Sequence, residues 1–189
     1  DPVRRTPMHD WAVQHGAVFE DVGLWKRARY FPRGNEDMHA AVARECRAVR
    51  EHCGIFDAST LGKVAVVGPD AVEFMNRMYV NEWSKLAVGR SKYGVLLRDD
   101  GFVYDDGVVA RVAADRFHVT TTTGGAARVL GMMEDYRQTE WADLKVWLTS
   151  TTEEWAVIAL QGPRARDILA PLVDGLDISA AALPHMGVV

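Results

Sequence analysis

Apolar and polar positions along this chain change period several times, and each change marks an element. Residues 93–97 and 103–109 are two short apolar runs. Arg98-Asp99-Asp100-Gly101 between them is turn chemistry, so the pair predicts a β-hairpin. From Asp37 the period lengthens. Met38, Val42, Cys46, Val49 and Cys53 recur at steps of three or four, which predicts a helix with those residues inward and Gly54 closing it. A strand over 63–67 follows, and Gly68-Pro69 then opens a helix whose apolar stripe is Val72, Met75 and Met78. Residues 117–121 read as a strand, and 125–136 as a helix with Val129, Leu130 and Met133 inward. Two late strands, 146–149 and 155–160, complete the pattern. The first 35 residues show neither period. Trp11, Phe19, Trp25, Tyr30 and Phe31 are scattered among Gly16, Gly23, Pro32 and Gly34, and the segment reads as an irregular wrap over a core or a pocket rim.

A strand, a Gly-Pro turn and a helix occur twice. Val67-Gly68-Pro69-Asp70-Ala71 is echoed by Gln161-Gly162-Pro163-Arg164-Ala165. The echo fits a duplicated strand–helix half, around 63–78 and 155–172, and it also fits the independent reuse of a good helix start. Hairpins mixed with helices that follow strands give an α+β fold: antiparallel sheets with helices packed on one face.

The candidate chemistry lies in Tyr104-Asp105-Asp106-Gly107-Val108. Side chains alternate along a strand, so Tyr104, Asp106 and Val108 share one face while Asp105 and Val109 share the other. One of the two aspartates alone can look into a given pocket. Tyr93 joins the Asp106 face if the connecting loop holds two or four residues, and a three-residue loop reverses that parity. A carboxylate so placed can stabilise a cation and accept or orient a proton. The plain alternative is a solvated pair near a turn.

Composition narrows the function classes. A chain of 189 residues with 48% hydrophobic content can bury a sizeable core as one domain or two small lobes. The formal net charge is -4 and the pI is near 5.9, so no general basic field exists. Lys26, Arg27, Arg29 and Arg33 are too short a cluster to create one, and nucleic acid is not an expected partner. No apolar run approaches the roughly 20 residues that span a bilayer, and the N-terminus lacks a signal-peptide core; no membrane and a cytoplasmic location are expected. Cys46 and Cys53 fall about two helical turns apart, too far to bridge, so both are read as free thiols. The six histidines lack zinc spacing, and no metal is expected. No Gly-x-Gly-x-x-Gly opens a strand–helix unit, so the chain shows no dinucleotide site. Thr123-Gly124-Gly125 is read as a tight turn in preference to an anion cradle. Ser59 lacks a nucleophile-elbow context, and Asp57 in Phe56-Asp57-Ala58-Ser59 is read as a turn cap. The start at Asp1 and the apolar tail suggest a segment of something longer.

Four stretches then carry a resemblance. Thr6-Pro7-Met8-His9-Asp10, Phe56-Asp57-Ala58-Ser59, the 100–106 hairpin and Leu160-Gln161-Gly162-Pro163 fall in the order seen in the aminomethyltransferase family, the folate-binding fold of the glycine cleavage T-protein. The wording between them is similar to the C-terminal half of sarcosine oxidase alpha subunits, notably at Gly16-Ala17-Val18-Phe19-Glu20-Asp21-Val22-Gly23, Asp57-Ala58-Ser59-Thr60-Leu61-Gly62-Lys63 and Thr120-Thr121-Thr122-Thr123-Gly124-Gly125-Ala126. The resemblance spans nearly the whole chain and implies a C-terminally incomplete aminomethyltransferase-like fold, with 1–189 as the N-terminal portion of its domain. It implies tetrahydrofolate as cofactor, with flavin and NAD only on other domains or subunits. In such enzymes a flavin elsewhere oxidises sarcosine to an iminium, which tetrahydrofolate captures as 5,10-methylenetetrahydrofolate. The resemblance makes Asp106 catalytic, puts Tyr93, Val108 and Thr122 against the folate, and makes other sarcosine oxidase subunits the partners. The glutamate and arginine with which relatives hold the pterin fall beyond Val189. A non-catalytic folate-binding or subunit-docking module, or an aminomethyltransferase acting on another amine donor, are the alternatives.

Overall fold

The computed structural model describes residues 3–189. In chain order its elements begin with β1 (Arg4–Arg5), α1 (His9–Gln14), β2 (Val18–Val22), β3 (Trp25–Tyr30), α2 (Met38–Glu51) and β4 (Gly54–Asp57). There follow β5 (Gly62–Val67), α3 (Ala71–Met78), β6 (Arg90–Leu97), β7 (Val103–Ala113), β8 (Arg116–Thr121) and α4 (Ala126–Thr139). The last are β9 (Trp147–Ser150), β10 (Ile158–Gln161) and α5 (Ala165–Leu169). Two compact units divide them: one holds the residues up to Thr60 with Trp155–Ala182, the other Leu61–Glu154 with Leu183–Val189. No helix among the described residues is long and apolar enough to cross a membrane.

In the first unit the segment expected to be an irregular wrap is regular. Strands β1, β3 and β2 form a sheet, β1 parallel to β3 and β2 antiparallel to it. Gly23, at φ 58, takes the first position of the two-residue β2–β3 loop, where a tight hairpin turn needs a left-handed residue. Ion pairs cross the hairpin: Arg27 Nη2 donates to Glu20 Oε1 at 2.6 Å, and Lys26 Nζ to Asp21 Oδ1 at 2.5 Å. These charged positions break the apolar alternation, and Trp25 alone of the hairpin is buried, which is why the sequence hides it.

Helix α2 starts where expected, with Asp37 accepting the Ala40 N–H at 2.8 Å as an N-cap. Its inner face differs from the expected stripe. Val42 and Cys46 are exposed and Ala41 is fully buried, because the helix turns Arg44 and Glu45 onto the segment before it. Arg44 donates to both carboxylate oxygens of Glu36 (2.9 and 2.8 Å) and to Phe31 O (2.7 Å), while Glu45 accepts the Phe31 N–H at 2.7 Å. The helix also stops at Glu51, and Gly54 begins β4. Strand β4 pairs antiparallel with β10, which is shorter than the expected 155–160.

The second unit is a five-stranded antiparallel sheet in the order β6-β7-β8-β5-β9. Its core lies on one face. Val64, Val66, Val109, Phe117 and Val119 meet Phe74, Met75 and Met78 of α3 and Val129 and Met133 of α4, with Trp83 fully buried among them. Each such side chain removed from water contributes about 1.5–3 kcal/mol. This is the helix-on-one-face α+β arrangement read from the periodicity. Strand–Gly-Pro–helix occurs once in each unit, with Gly68 at φ 145 and Gly162 at φ 125. At Gly68 a Cβ would lie 2.2 Å from Lys145 O, so the turn tolerates no side chain.

The Glu36–Arg44 pair makes a pH prediction. Hydrogen bonding from Arg44 first, and from the Arg33 N–H second, lowers the Glu36 carboxyl from its ordinary 4.5 to about 2. The depressed value means that the stabilisation is complete above about pH 4.5 and is lost as pH falls through about 2. Urea midpoints measured across that interval should fall less steeply in Glu36→Gln than in the wild type.

Candidate functional site

The site begins with the register of the β6–β7 hairpin. Five residues, 98–102, join the strands, closed by Gly101 N–H to Arg98 O (2.8 Å) and Phe102 N–H to Asp100 Oδ1 (3.0 Å). An odd loop would put Tyr93 and Asp106 on opposite faces, but a bulge between Leu96 and Leu97 restores the parity. Tyr93 therefore lies opposite Val108 and Val95 opposite Asp106, all on the face away from the core. Tyr93 is 54% exposed and Val108 38%, and Asp106 is half-buried between strands.

Asp105 points the other way and is 3% exposed. Its carboxylate accepts the Thr122 hydroxyl at 2.7 Å and the Thr122 N–H at 3.1 Å. The same hydroxyl accepts the Gly125 N–H at 3.1 Å, at the N-cap of α4. A Cβ on Gly125 would stand 2.6 Å from Asp105 Oδ2. Thr123-Gly124-Gly125 is thus a turn closed around the chain's own carboxylate. Tyr79 lies in the same core, and burial first and the Asp105 charge second push its phenol above the usual range.

The rest of this face mixes small side chains with larger ones. Ser91, Ala110, His118 and Ala65 follow from the strand register as one row; in the next, Tyr93 pairs with Val108 and Thr120 with Lys63, the two pairs joined by the Thr120 hydroxyl to Val108. Ser91, Ala110 and Ala65 keep one row low beside the exposed Tyr93 ring, and Asp106 at the margin is a carboxylate able to accept hydrogen bonds. The Asp106 carboxylate makes no hydrogen bond or ion pair to another described residue. Lys63 is fully buried, with Nζ donating to Leu61 O at 2.9 Å. Burial first and the Lys63 charge second lower the His118 pKa, which favours a neutral imidazole on this face.

Of the residues expected to serve the ligand, the structure gathers Tyr93, Asp106 and Val108. It places Thr122 elsewhere, with its hydroxyl committed to Asp105 and Gly125. The sequence reading missed His118, Thr120 and Lys63 as members of the face. The polar–apolar alternation of Phe117-His118-Val119-Thr120 was the available signal. Ser59 and Asp57 are structural, as read: Asp57 Oδ1 accepts the Ser59 N–H at 3.1 Å, and the Ser59 hydroxyl bonds both backbone groups of Val157. A separate cleft of about 510 Å³ in the first unit, lined by Trp11, Phe19, Phe31 and Phe56 among others, contains none of the expected residues. Cys46 and Cys53 are free, and no His/Cys/Asp/Glu cluster fit for a metal occurs among the described residues.

Comparison with known proteins adds a lineage. The family model described as GCVT N-terminal domain matches residues 8–189. Sarcosine oxidase subunit alpha of Corynebacterium sp. (strain P-1) is 57% identical over 186 residues, which is 98% of this chain and 19% of that protein. The subunit alpha of Rhizobium meliloti (strain 1021) is 49% identical with the same coverage. A probable aminomethyltransferase of Halobacterium salinarum is 34% identical over 89% of this chain and 44% of its own length. The crystal structure of glycine cleavage system aminomethyltransferase T from Bartonella henselae superposes with a TM-score of 0.78 at 27% identity, over 89% of this chain and 43% of that one. The chain thus spans about a fifth of the alpha-subunit relatives.

The two neighbouring carboxylates should behave oppositely. Asp105→Ala strips a buried charge-assisted pair and should cost about 1.5–3 kcal/mol in urea unfolding, whereas Asp106→Asn should stay within about 0.5 kcal/mol. His118 gives a second test. Its folded pKa is lowered, so the unfolded chain binds more protons between the two values: stability should be full above about pH 6.5 and decline as pH falls through the folded value. Replacement of His118 by Gln should remove that decline.

Proposed function

The chain belongs to the family of GCVT N-terminal domains, and from that membership we propose that it forms the folate-facing part of a sarcosine oxidase alpha subunit. The proposed reaction is capture of the iminium from oxidised sarcosine onto tetrahydrofolate, giving 5,10-methylenetetrahydrofolate and glycine. One observation carries the reading: Tyr93, Val108 and Asp106 converge on the open sheet face, while the adjacent Asp105 is consumed by the fold. Identity of 49–57% to proteins named sarcosine oxidase subunit alpha favours sarcosine as the amine, above the 34% to a probable aminomethyltransferase.

The face fits a reduced pterin. Tyr93 and Val108 offer exposed apolar surface for a planar ring, with Ser91 and Ala110 as low neighbours. Tetrahydrofolate, when bound, supplies the nitrogens that take up the one-carbon unit. Asp106 has two tasks: its negative charge stabilises a cationic iminium carbon–nitrogen group nearby, and its oxygen accepts or orients the proton of the attacking amine. Tyr93 and Val108 hold the ring so that the amine stays within reach, and such positioning contributes as much as the acid–base step or more. His118, held toward its neutral form, adds no competing positive charge to the face. Flavin and NAD belong to other domains or subunits in this reading, since no Gly-x-Gly-x-x-Gly opens a strand–helix unit here. Other sarcosine oxidase subunits are the proposed partners.

The test compares the intact protein with its Asp106→Asn variant in an anaerobic tetrahydrofolate titration and in an assay of 5,10-methylenetetrahydrofolate formed from sarcosine. Folate-dependent product formation should fall about 10²–10⁴-fold in the variant, the usual range for loss of a general base. An unchanged rate would sink the assignment.

A further inference from the structure

Asp106 sits where β7 has lost its pairing with β8 and keeps that with β6. The β7–β8 ladder runs from Ala113↔Arg116 to Val109↔Val119 and goes no further, although the next step would pair Val108 with Thr120. A side chain takes over there. The Thr120 hydroxyl accepts the Val108 N–H at 2.9 Å and donates to the Val108 carbonyl at 2.8 Å. A hydroxyl has one proton to give, and here it goes to the same residue that donates back, so Thr120 has no donor left for a ligand. The Thr120 carbonyl meanwhile leans over Gly107, where a Cβ would lie 2.1 Å from it.

Two residues on, β8 has ended, and the Thr122 hydroxyl grips Asp105. The span from Asp105 to Val108 is therefore held at each end by a threonine hydroxyl in place of a β8 ladder. Between the clamps lie Asp106 and Gly107. The β6 ladder holds both from one side, through Val95↔Asp106 and Gly94↔Gly107, and glycine adds little restraint of its own, so on the β8 side the direction of the Asp106 side chain rests on the clamps. The Asp105 clamp is buried and structural. The Val108 clamp lies on the open face, directly beneath the exposed Val108 side chain.

We propose that Thr120 is a positioning residue, whose hydroxyl fixes the Val108 peptide groups and through them the aim of Asp106 and the height of Val108. The inference rests on the folate reading of Asp106. Thr120 does not touch the ligand; it sets where the carboxylate stands, and a misplacement of about 1 Å can cost about 10²-fold in rate.

The experiment is a double-mutant cycle in the intact protein, with Thr120→Val, Thr120→Ser and Asp106→Asn, read as the rate of tetrahydrofolate-dependent capture and the affinity for tetrahydrofolate. Thr120→Val should lose about tenfold or more in rate, and Thr120→Ser, which keeps the hydroxyl, should stay close to wild type. In the Asp106→Asn background Thr120→Val should cost nothing further, because its effect runs through the carboxylate. Should Thr120→Val not fold, Thr120→Ala takes its place in the cycle, since water can then reach the Val108 groups. Equal losses in the serine and valine variants, or the same loss with and without Asp106, would overturn the proposal by showing a merely structural residue. An impaired Asp106→Asn beside a wild-type Thr120→Val sinks the positioning role alone, and a wild-type Asp106→Asn sinks the folate reading beneath it.

Discussion

The bond between Asp105 and Thr122 is the constraint on which the second unit depends. A carboxylate that is 3% exposed is tolerable only with its oxygens occupied, and Thr122 fills both, one from its hydroxyl and one from its N–H. That demand sets the end of β8, the entry into α4 and the absence of a side chain at Gly125. It also sets the orientation of β7. A slip of one residue would bury Asp106 and expose Asp105, and no turn stands ready to receive Asp106. The outward carboxylate is a consequence of the inward one.

Close approach does the rest, and it is arranged by what side chains lack. Gly94 and Gly107 face each other across β6 and β7. At Gly94 a Cβ would lie 2.9 Å from the Trp83 ring, so the missing side chain lets the indole approach the strand. Gly107 admits the Thr120 carbonyl. Hydroxyls then replace backbone partners where ladders run out. Thr120 serves Val108 in the second unit, and Ser59 serves Val157 in the first, each accepting an N–H and donating to the carbonyl of one residue. Both devices let a strand part from its neighbour without leaving buried peptide groups unpaired.

The two groups of relatives stand at very different distances from this chain. The chain is 49–57% identical to alpha subunits of which it covers 19%, and 34% identical to an aminomethyltransferase of which it covers 44%. The second unit holds a face with one outward aspartate and an exposed tyrosine. The first unit contributes no such face. It is organised by its ion pairs and by the Arg44 fork that binds Glu36 and Phe31 O.

Much of the second unit was legible in the order of residues. Residues 117–121, the Gly68-Pro69 helix start and the Val129–Met133 stripe fall where periodicity put them, because burial on one face imposes its period directly. The β2–β3 hairpin was not legible, since paired charges such as Glu20 and Arg27 erase the apolar alternation. The inner face of α2 was not either, since Arg44 and Glu45 hold it through partners at Phe31 and Glu36. In the site, the sequence by itself determined that Asp105 and Asp106 face opposite ways, because the pleat is local geometry that any strand obeys. Which of them faces inward, and whether Tyr93 stands beside the outward one, was decided only by tertiary structure. The first depends on Thr122, seventeen residues from Asp105, and the second on a bulge at Leu96 that reverses the parity of an odd loop. Relative direction is a property of neighbours in the chain; absolute direction belongs to partners brought together by folding.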